Sequence, residues 1–256
     1  MRIVTWNVNS LRARLPRVLQ LLAEHQPDVA CLQETKSAPD AFPSDQLREV
    51  GYHAVHNSGG RWAGVAVLAR ADLALSEPVL GLPGDAAPDE ARWCEVTVQG
   101  IRFASVYVPN GRTLDSPEFP RKLAFLDAVS ARVAALEDAS LIVAGDMNIA
   151  PEDRDVYDPQ AFVGGTHVSA EERGQLAALQ RDGLVDAYRA VHPDEVQYTW
   201  WDYRAGNFHK GLGLRIDLAL VSSDLAPRLT ACGIDRDYRK GHKPSDHAPL
   251  LVELAK

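Results

Sequence analysis

Eight short apolar runs, rich in Val, Ile and Leu, recur along the chain, and each is closed by turn residues. They are RIVTW (2–6), DVACLQ (28–33), GVAVLA (64–69), WCEVTV (93–98), IRFASVYV (101–108), SLIVAGD (140–146), IDLALVS (216–222) and PLLVEL (249–254). Their length and β-branched content predict strands. Helical spacing appears between some of them. Residues 16–25 carry Val18, Leu19 and Leu22, with Pro16 suited to a first turn. Residues 119–138 place Leu123, Leu126, Val129, Val133 and Leu136 on one face. Residues 171–183 form a third helix closed by Gly183. Gln99-Gly100 between two strands is a hairpin signal, so the pairing is not purely parallel. Segments 71–92 and 147–170, rich in Gly, Pro and Asp, read as surface loops. With no repeat, low-complexity tract or linker, the expectation is one mixed α/β domain over 1–256 with two sheets.

With 256 residues and 46% hydrophobic content, the chain can bury one large core. Cys31, Cys94 and Cys232 are odd in number and form no CxxC. That argues against a disulfide framework or zinc knuckle and for a reducing compartment. The N-terminus reads at once as a strand, and no stretch is long enough to span a bilayer. A soluble, cytoplasmic monomer with no membrane partner is expected. The net charge of −8 argues against a nucleic-acid coat protein. It says less if acids cluster at a metal site, because a bound divalent ion changes the local sign. Basic residues gather at Arg12, Arg14 and Arg17, at Arg121 and Lys122, and at Arg236, Arg239, Lys240 and Lys243. Each alone reads as solvated surface charge.

Polar residues stand at the ends of these runs. Asn7 and Asn9 end the first, Glu34 follows the second, and Tyr107 and Asn110 close another. Asp146 and Asn148 end the GDMN run, Asp217 opens IDLAL, and Asp246 and His247 precede the last strand. Each has a structural alternative. Asn9 or Ser10 can cap a helix, Glu34 can pair with Lys36, and Asp146 can be a turn residue. Asp217 is the hardest to dismiss, since an unpaired acid in an apolar strand is costly. If these ends share one edge, they form one polar pit. Oxygen-rich ligands such as Glu34, Asn7 and Asp246 favour Mg²⁺, or Mn²⁺ in its place, over zinc. A cation and a protonated His together suit a phosphoryl transition state, and an Asp can activate water. No Ser or Cys nucleophile motif and no Walker A loop appears, so direct attack by water is preferred.

WNVNSLRAR, CLQETK, YVPNG, GDMNIAP, YTWWDYR, GLRIDLAL and SDHAP, in this order from residue 3 to 250, resemble the exonuclease III family of abasic-site endonucleases. That family lies within the endonuclease/exonuclease/phosphatase superfamily. The resemblance implies a four-layered α/β sandwich: two packed mixed β-sheets flanked by helices, as in DNase I. It implies that Glu34 is the main metal ligand, with Asn7 beside it and Asp246 near the metal. Asp146 would activate the attacking water, and Asn148 and Tyr107 would hold the phosphate. His247 would stabilise charge on the phosphate, and Asp217 would orient His247. Trp200, Leu214 and Ile216 would line a pocket for a flipped, base-less sugar. Asn110, Arg12, Arg112 and Lys243 would contact the DNA. Some relatives carry Trp at the position of Leu214 and Asp at that of Asn9.

The adjacent Asp246 and His247 are not expected to form the catalytic couple. Neighbours in an extended segment point to opposite sides. Asp217, about thirty residues earlier, is the better partner for His247, which frees Asp246 to face the metal. The reading is a Mg²⁺-dependent enzyme of base excision repair, incising duplex DNA 5′ to abasic sites and leaving a 3′-hydroxyl. Removal of 3′-terminal nucleotides and 3′-blocking groups is expected beside it. Two rivals are a phosphatase of inositol phosphates or lipids, disfavoured by YTWW and GLRID, and a silent DNA-binding relative, disfavoured because every main acid and the His are present.

Overall fold

The structure, a computed structural model, describes residues 1–136 and 139–255. Twelve strands form two six-stranded sheets. In chain order they are β1 Arg2–Asn7, β2 Val29–Gln33, β3 Tyr52–Asn57, β4 Val65–Arg70, β5 Ser76–Leu80 and β6 Trp93–Val98. They continue with β7 Ile101–Tyr107, β8 Leu141–Asp146, β9 Leu184–Asp186, β10 Asp217–Ser222, β11 Leu229–Ile234 and β12 Leu250–Leu254. One sheet runs β11-β12-β1-β2-β4-β3 and the other β5-β6-β7-β8-β10-β9. Each has one parallel pair, β1 with β2 and β7 with β8, among antiparallel neighbours. The helices are α1 Leu11–His25, α2 Ser44–Glu49, α3 Glu118–Ala134, α4 Ala170–Arg181, α5 Ala187–Val191 and α6 Asn207–Lys210.

The layering follows from the side-chain alternation of strands. Ile3, Cys31, Val67, Val96, Phe103, Ile142 and Val221 point between the sheets into a shared core. Val4, Trp6, Ala30 and Leu68 point outward against Val18, Leu21 and Leu22 of α1 and Leu47 of α2. On the far side, Val143, Leu218 and Leu220 meet Leu126, Val129 and Val133 of α3 and Leu176 and Leu179 of α4. The result is the expected four-layered sandwich. Central strands are buried on both faces, which is why they read as continuous apolar runs. Gly145 in β8 is required sterically: a Cβ there would lie 2.0 Å from the Val106 carbonyl oxygen of β7.

Four strands lie outside the eight apolar runs: β3, β5, β9 and β11. They are the four sheet edges. The runs 71–92 and 147–170 differ too: the first holds β5, whereas the second is irregular with short 3-10 turns. Helix α1 begins at Leu11 rather than 16, because Ser10 Oγ accepts the Ala13 N–H, so Pro16 sits inside the helix and not in its first turn. Helix α3 ends at Ala134, and of its expected extension residues 137–138 lie outside the described residues. Helix α4 starts from a reciprocal Ser169–Glu172 cap and ends at Arg181, with Gly183 beyond it at φ 96°. Among the described residues no helix is long and apolar enough to cross a membrane.

Candidate active site at the strand ends

The parallel pairs β1–β2 and β7–β8 bring their C-terminal ends to one edge of the sandwich. The antiparallel β10 and β12 bring their N-terminal ends to the same edge. Asp217 therefore sits opposite Asp146 in the β8–β10 register. Six separate stretches thus meet in one pit, which turns isolated polar residues into a cluster.

Asn7 is its hub. Fully buried, it donates one amide N–H to Glu34 Oε1 at 2.8 Å and the other to Asp146 Oδ2 at 2.9 Å. Its side-chain oxygen, Oδ1, accepts the Asn9 N–H at 3.0 Å. Asn7 therefore joins the two acids as a donor. The side-chain oxygen expected as a metal ligand accepts this one hydrogen bond from the turn that follows β1 and keeps a second lone pair.

Asp217 Oδ2 and His247 Nδ1 are 2.8 Å apart, and both residues are buried. On the other side of the ring, His247 Nε2 is 3.8 Å from Asp146 Oδ2. Burial opposes the imidazolium, but Asp217 and Asp146 outweigh it and push the His247 pKa to about 10. Asp146 is driven the other way from an ordinary acid. Burial, with Asp217 and Glu34 nearby, raises it to about 7 despite His247 and the Asn7 hydrogen bond. The site thus holds a charged His beside a carboxyl that titrates near neutrality. Folding raises the His247 pKa from 6.5 to about 10, so this pair's stabilisation is complete below pH 6.5 and vanishes as pH climbs through 10. In EDTA, the melting-temperature gap between wild type and Asp217→Asn is expected to be widest below pH 6.5 and to close toward pH 10. A gap that does not vary with pH would show that the couple carries no such charge.

Asn148 follows Asp146 with left-handed backbone, φ 50°. Its N–H donates to Asp146 Oδ1 at 2.9 Å and its side-chain amide to the Val108 carbonyl at 2.9 Å. Asn110 donates to Asn148 Oδ1 at 3.2 Å. Tyr107, at the end of β7, is pushed well above the usual phenol range by burial and by the negative charges of Glu34 and Asp146, so it stays a neutral donor.

Asp246 is placed beside the pit's main acids rather than among them. One oxygen accepts Asn9 Nδ2 at 2.9 Å and the other accepts Trp200 Nε1 at 3.1 Å. It is not among the three residues whose ligand atoms converge, Glu34, Asp146 and His247. Leu214 and Ile216 differ more sharply from expectation. They are 0% and 2% exposed, packed with Ala150 and Val156 under the partly buried Trp200. Their side chains are covered in this conformation, and backbone hydrogen bonds in both directions join Leu214 to Trp200. Of the basic residues, Arg112 is exposed and paired with Glu118 at 3.0 Å. Lys243 is exposed in the loop before Ser245. Arg12 lines a separate groove with Leu15, Asp40 and Phe42.

Several residues of the pit are not marked by their sequence positions. Ser245 Oγ donates to the Asn7 carbonyl at 2.7 Å and accepts the His247 N–H at 3.2 Å, locking SDH onto β1. Thr199 Oγ1 accepts the N–H groups of Ile216 and Asp217. Lys122, on the helix face expected to be a solvated charge, is fully buried. Its ammonium donates to the Asn148 carbonyl at 2.7 Å, to the Asn110 carbonyl at 3.2 Å and to Glu172. His167 Nδ1 must carry a proton to donate to the Asn148 carbonyl at 2.6 Å. Burial, with Lys122 beside it, lowers that imidazole to about 4. The Ser169-x-x-Glu172 cap was the one legible signal here.

Glu34, Asp146 and His247 each offer an atom within 4.8 Å of one another. With His247 protonated, the usable donors are carboxylate oxygens, and such a set fits a hard divalent cation.

The sequence profile of the Endonuclease/Exonuclease/phosphatase family matches residues 4–247. Over 99% of this chain and all of the relative, the sequence is 32% identical to exodeoxyribonuclease III of Haemophilus influenzae. The fold superposes over the full length of both chains on a 3′-5′ exonuclease, NExo, from Neisseria meningitidis, with TM-score 0.97 and 40% identity. NExo is also described as a 3′ phosphatase bound to a product DNA hairpin, with TM-score 0.96, 41% identity and full coverage of both chains. An AP endonuclease from Archaeoglobus fulgidus matches over the full length of both chains with TM-score 0.96 and 34% identity.

Proposed function

The chain belongs to the endonuclease/exonuclease/phosphatase family, in its exonuclease III branch, and on that premise we propose that it is a divalent-cation-dependent phosphodiesterase of DNA repair. Its substrate is duplex DNA carrying 3′-blocked ends or abasic sites. The observation that carries the reading is the meeting of the Asp217–His247 couple with Asp146 and Glu34 at one strand edge. The catalytic unit is the whole of 1–256 as one domain, since both sheets contribute to the pit.

In the mechanism, Asp146 takes a proton from water as it attacks the phosphorus, its raised pKa suiting a base that works near neutral pH, while the P–O3′ bond breaks and the departing 3′ oxygen takes up a proton from solvent to leave a 3′-hydroxyl. Asn148, held by Lys122 and His167 through its carbonyl, keeps that water and a phosphate oxygen aligned. His247, kept charged by Asp217, donates to a non-bridging oxygen as negative charge builds in the transition state. Tyr107 donates to the same phosphate. Glu34, with Asp146 next to it, would hold Mg²⁺, which supplies Lewis-acid stabilisation of the phosphate's charge. Arg112 and Lys243 approach flanking phosphates, whereas Arg12 stands further along the strand.

Release of 3′-terminal phosphate and nucleotides is the first reading, supported by the likeness to NExo and by the burial of Leu214 and Ile216 beneath Trp200. Incision 5′ to an abasic site is the second reading, favoured by the likeness to the A. fulgidus enzyme. Duplexes carrying a 3′-phosphate or one internal tetrahydrofuran abasic analogue separate them. We expect Mg²⁺-dependent release of 3′-phosphate, abolished by EDTA, with slower incision at tetrahydrofuran. Faster incision would reverse the ranking, and no Mg²⁺-dependent hydrolysis of either duplex would overturn the function.

A further inference from the structure

The CLQETK segment delivers a cation to the pit together with its acid. Lys36 Nζ lies 2.6 Å from Glu34 Oε2 and 2.6 Å from Asn9 Oδ1. The pair is built by the backbone rather than by chance contact of flexible chains. Glu34 and Lys36 both have left-handed backbone, φ 51° and 47°, which L residues adopt only against a steric cost. Four backbone hydrogen bonds hold them there: Ser10 N–H to the Glu34 carbonyl, Leu11 N–H to that of Thr35, Thr35 N–H to that of Gly64, and Lys36 N–H to that of Ala63. The alternating conformation turns the acid and the ammonium to the same side. Side-chain exposures of 14% for Glu34 and 26% for Lys36 place the pair inside the pit's mouth, away from the freely solvated regime where ion pairs matter little.

We propose that Lys36 is a built-in counter-cation that competes with the divalent ion for Glu34, setting how tightly the DNA-free protein binds metal. This rests on the reading of Glu34 as the metal's carboxylate. A divalent ion arriving at Glu34 must displace the ammonium or accept a like charge in contact with its own ligand. Either weakens metal binding. The ammonium meanwhile offsets part of the negative charge of a pit that holds Glu34, Asp146 and Asp217 together. A DNA phosphate brings negative charge that offsets both cations, so metal and substrate load together.

The test is Mn²⁺ titration of the full chain without DNA, followed by the electron paramagnetic resonance signal of free Mn²⁺. Lys36→Met is expected to bind Mn²⁺ about tenfold more tightly than wild type, and Lys36→Arg to stay within about twofold, since it keeps the charge. Glu34→Gln should lose the site. Equal or weaker Mn²⁺ binding by Lys36→Met overturns the proposal, because Lys36 would then be holding Glu34 in place rather than competing for it. Circular dichroism checks folding, and Lys36→Gln serves if the Met variant does not fold. If Glu34→Gln binds Mn²⁺ as wild type does, the metal reading of Glu34 fails as well. Loss in Glu34→Gln with no tightening in Lys36→Met removes only the counter-cation.

Discussion

Asp146→Asn is expected to lower kcat on a 3′-phosphate duplex by roughly 10²–10⁴-fold, the range lost with a positioned general base. The amide keeps the shape and can still accept the Asn148 N–H, now 2.9 Å from Asp146 Oδ1, but its NH2 then faces Asn7 Nδ2 and loses that hydrogen bond. It cannot take a proton from water. The same change should raise the melting temperature of the metal-free protein at pH 8. Folding shifts this carboxyl from 3.8 to about 7, so the folded state is increasingly penalised between those values and stays penalised above them. Asparagine never ionises and escapes the penalty. Lost activity with gained stability in EDTA is the signature of a residue placed for chemistry. A rate within tenfold of wild type would remove Asp146 from that role, and a clearly lower melting temperature would mean that the lost Asn7 hydrogen bond outweighs the relieved charge.

His247→Ala carries the second large effect, and it should damage rate and stability together. Loss of one preorganised donor to the transition state typically costs roughly 10²–10³ in kcat. Removal of the imidazolium also strands Asp217, which is fully buried and whose Oδ1 already has no hydrogen-bond partner among the described residues. Breaking one half of a buried ion pair costs about 3–5 kcal/mol. Adding Asp217→Asn to His247→Ala should restore most of the stability and none of the rate. Chemical denaturation of the two single variants and the double variant measures this coupling directly. Strict additivity in stability would mean that the 2.8 Å contact carries no coupling energy.

The couple also shows how far residue order alone leads. In SDHAP the acid next to His247 is Asp246, yet the alternation of an extended segment turns it away. The structure places Asp246 on Asn9 and Trp200 and gives His247 to Asp217. That much was legible from strand geometry and from an acid otherwise unexplained inside IDLAL. What Asn7 does with its amide was not. Residue type marks it as polar at a strand end, but whether oxygen or nitrogen faces the acids depends on the Asn9 N–H that takes the oxygen. Lys122 was hidden for a similar reason. A Lys on an amphipathic helix reads as solvated, and only the arrival of Glu172, from a helix fifty residues on, makes its burial tolerable.

The sequence by itself determined the central strands and the chemical inventory of their ends. A strand buried on both faces must be apolar throughout, so β1, β2, β4, β6, β7, β8, β10 and β12 announce themselves, and a polar residue at such an end stands out. Tertiary structure alone decided the sheet edges, since β3, β5, β9 and β11 exist through pairing with a neighbour and need little apolar surface of their own. It also decided partnerships such as Asn7 with Asp146, 139 residues apart, and the burial of Leu214 and Ile216. These depend on which surfaces meet across the two sheets, and a local stretch of sequence does not encode that.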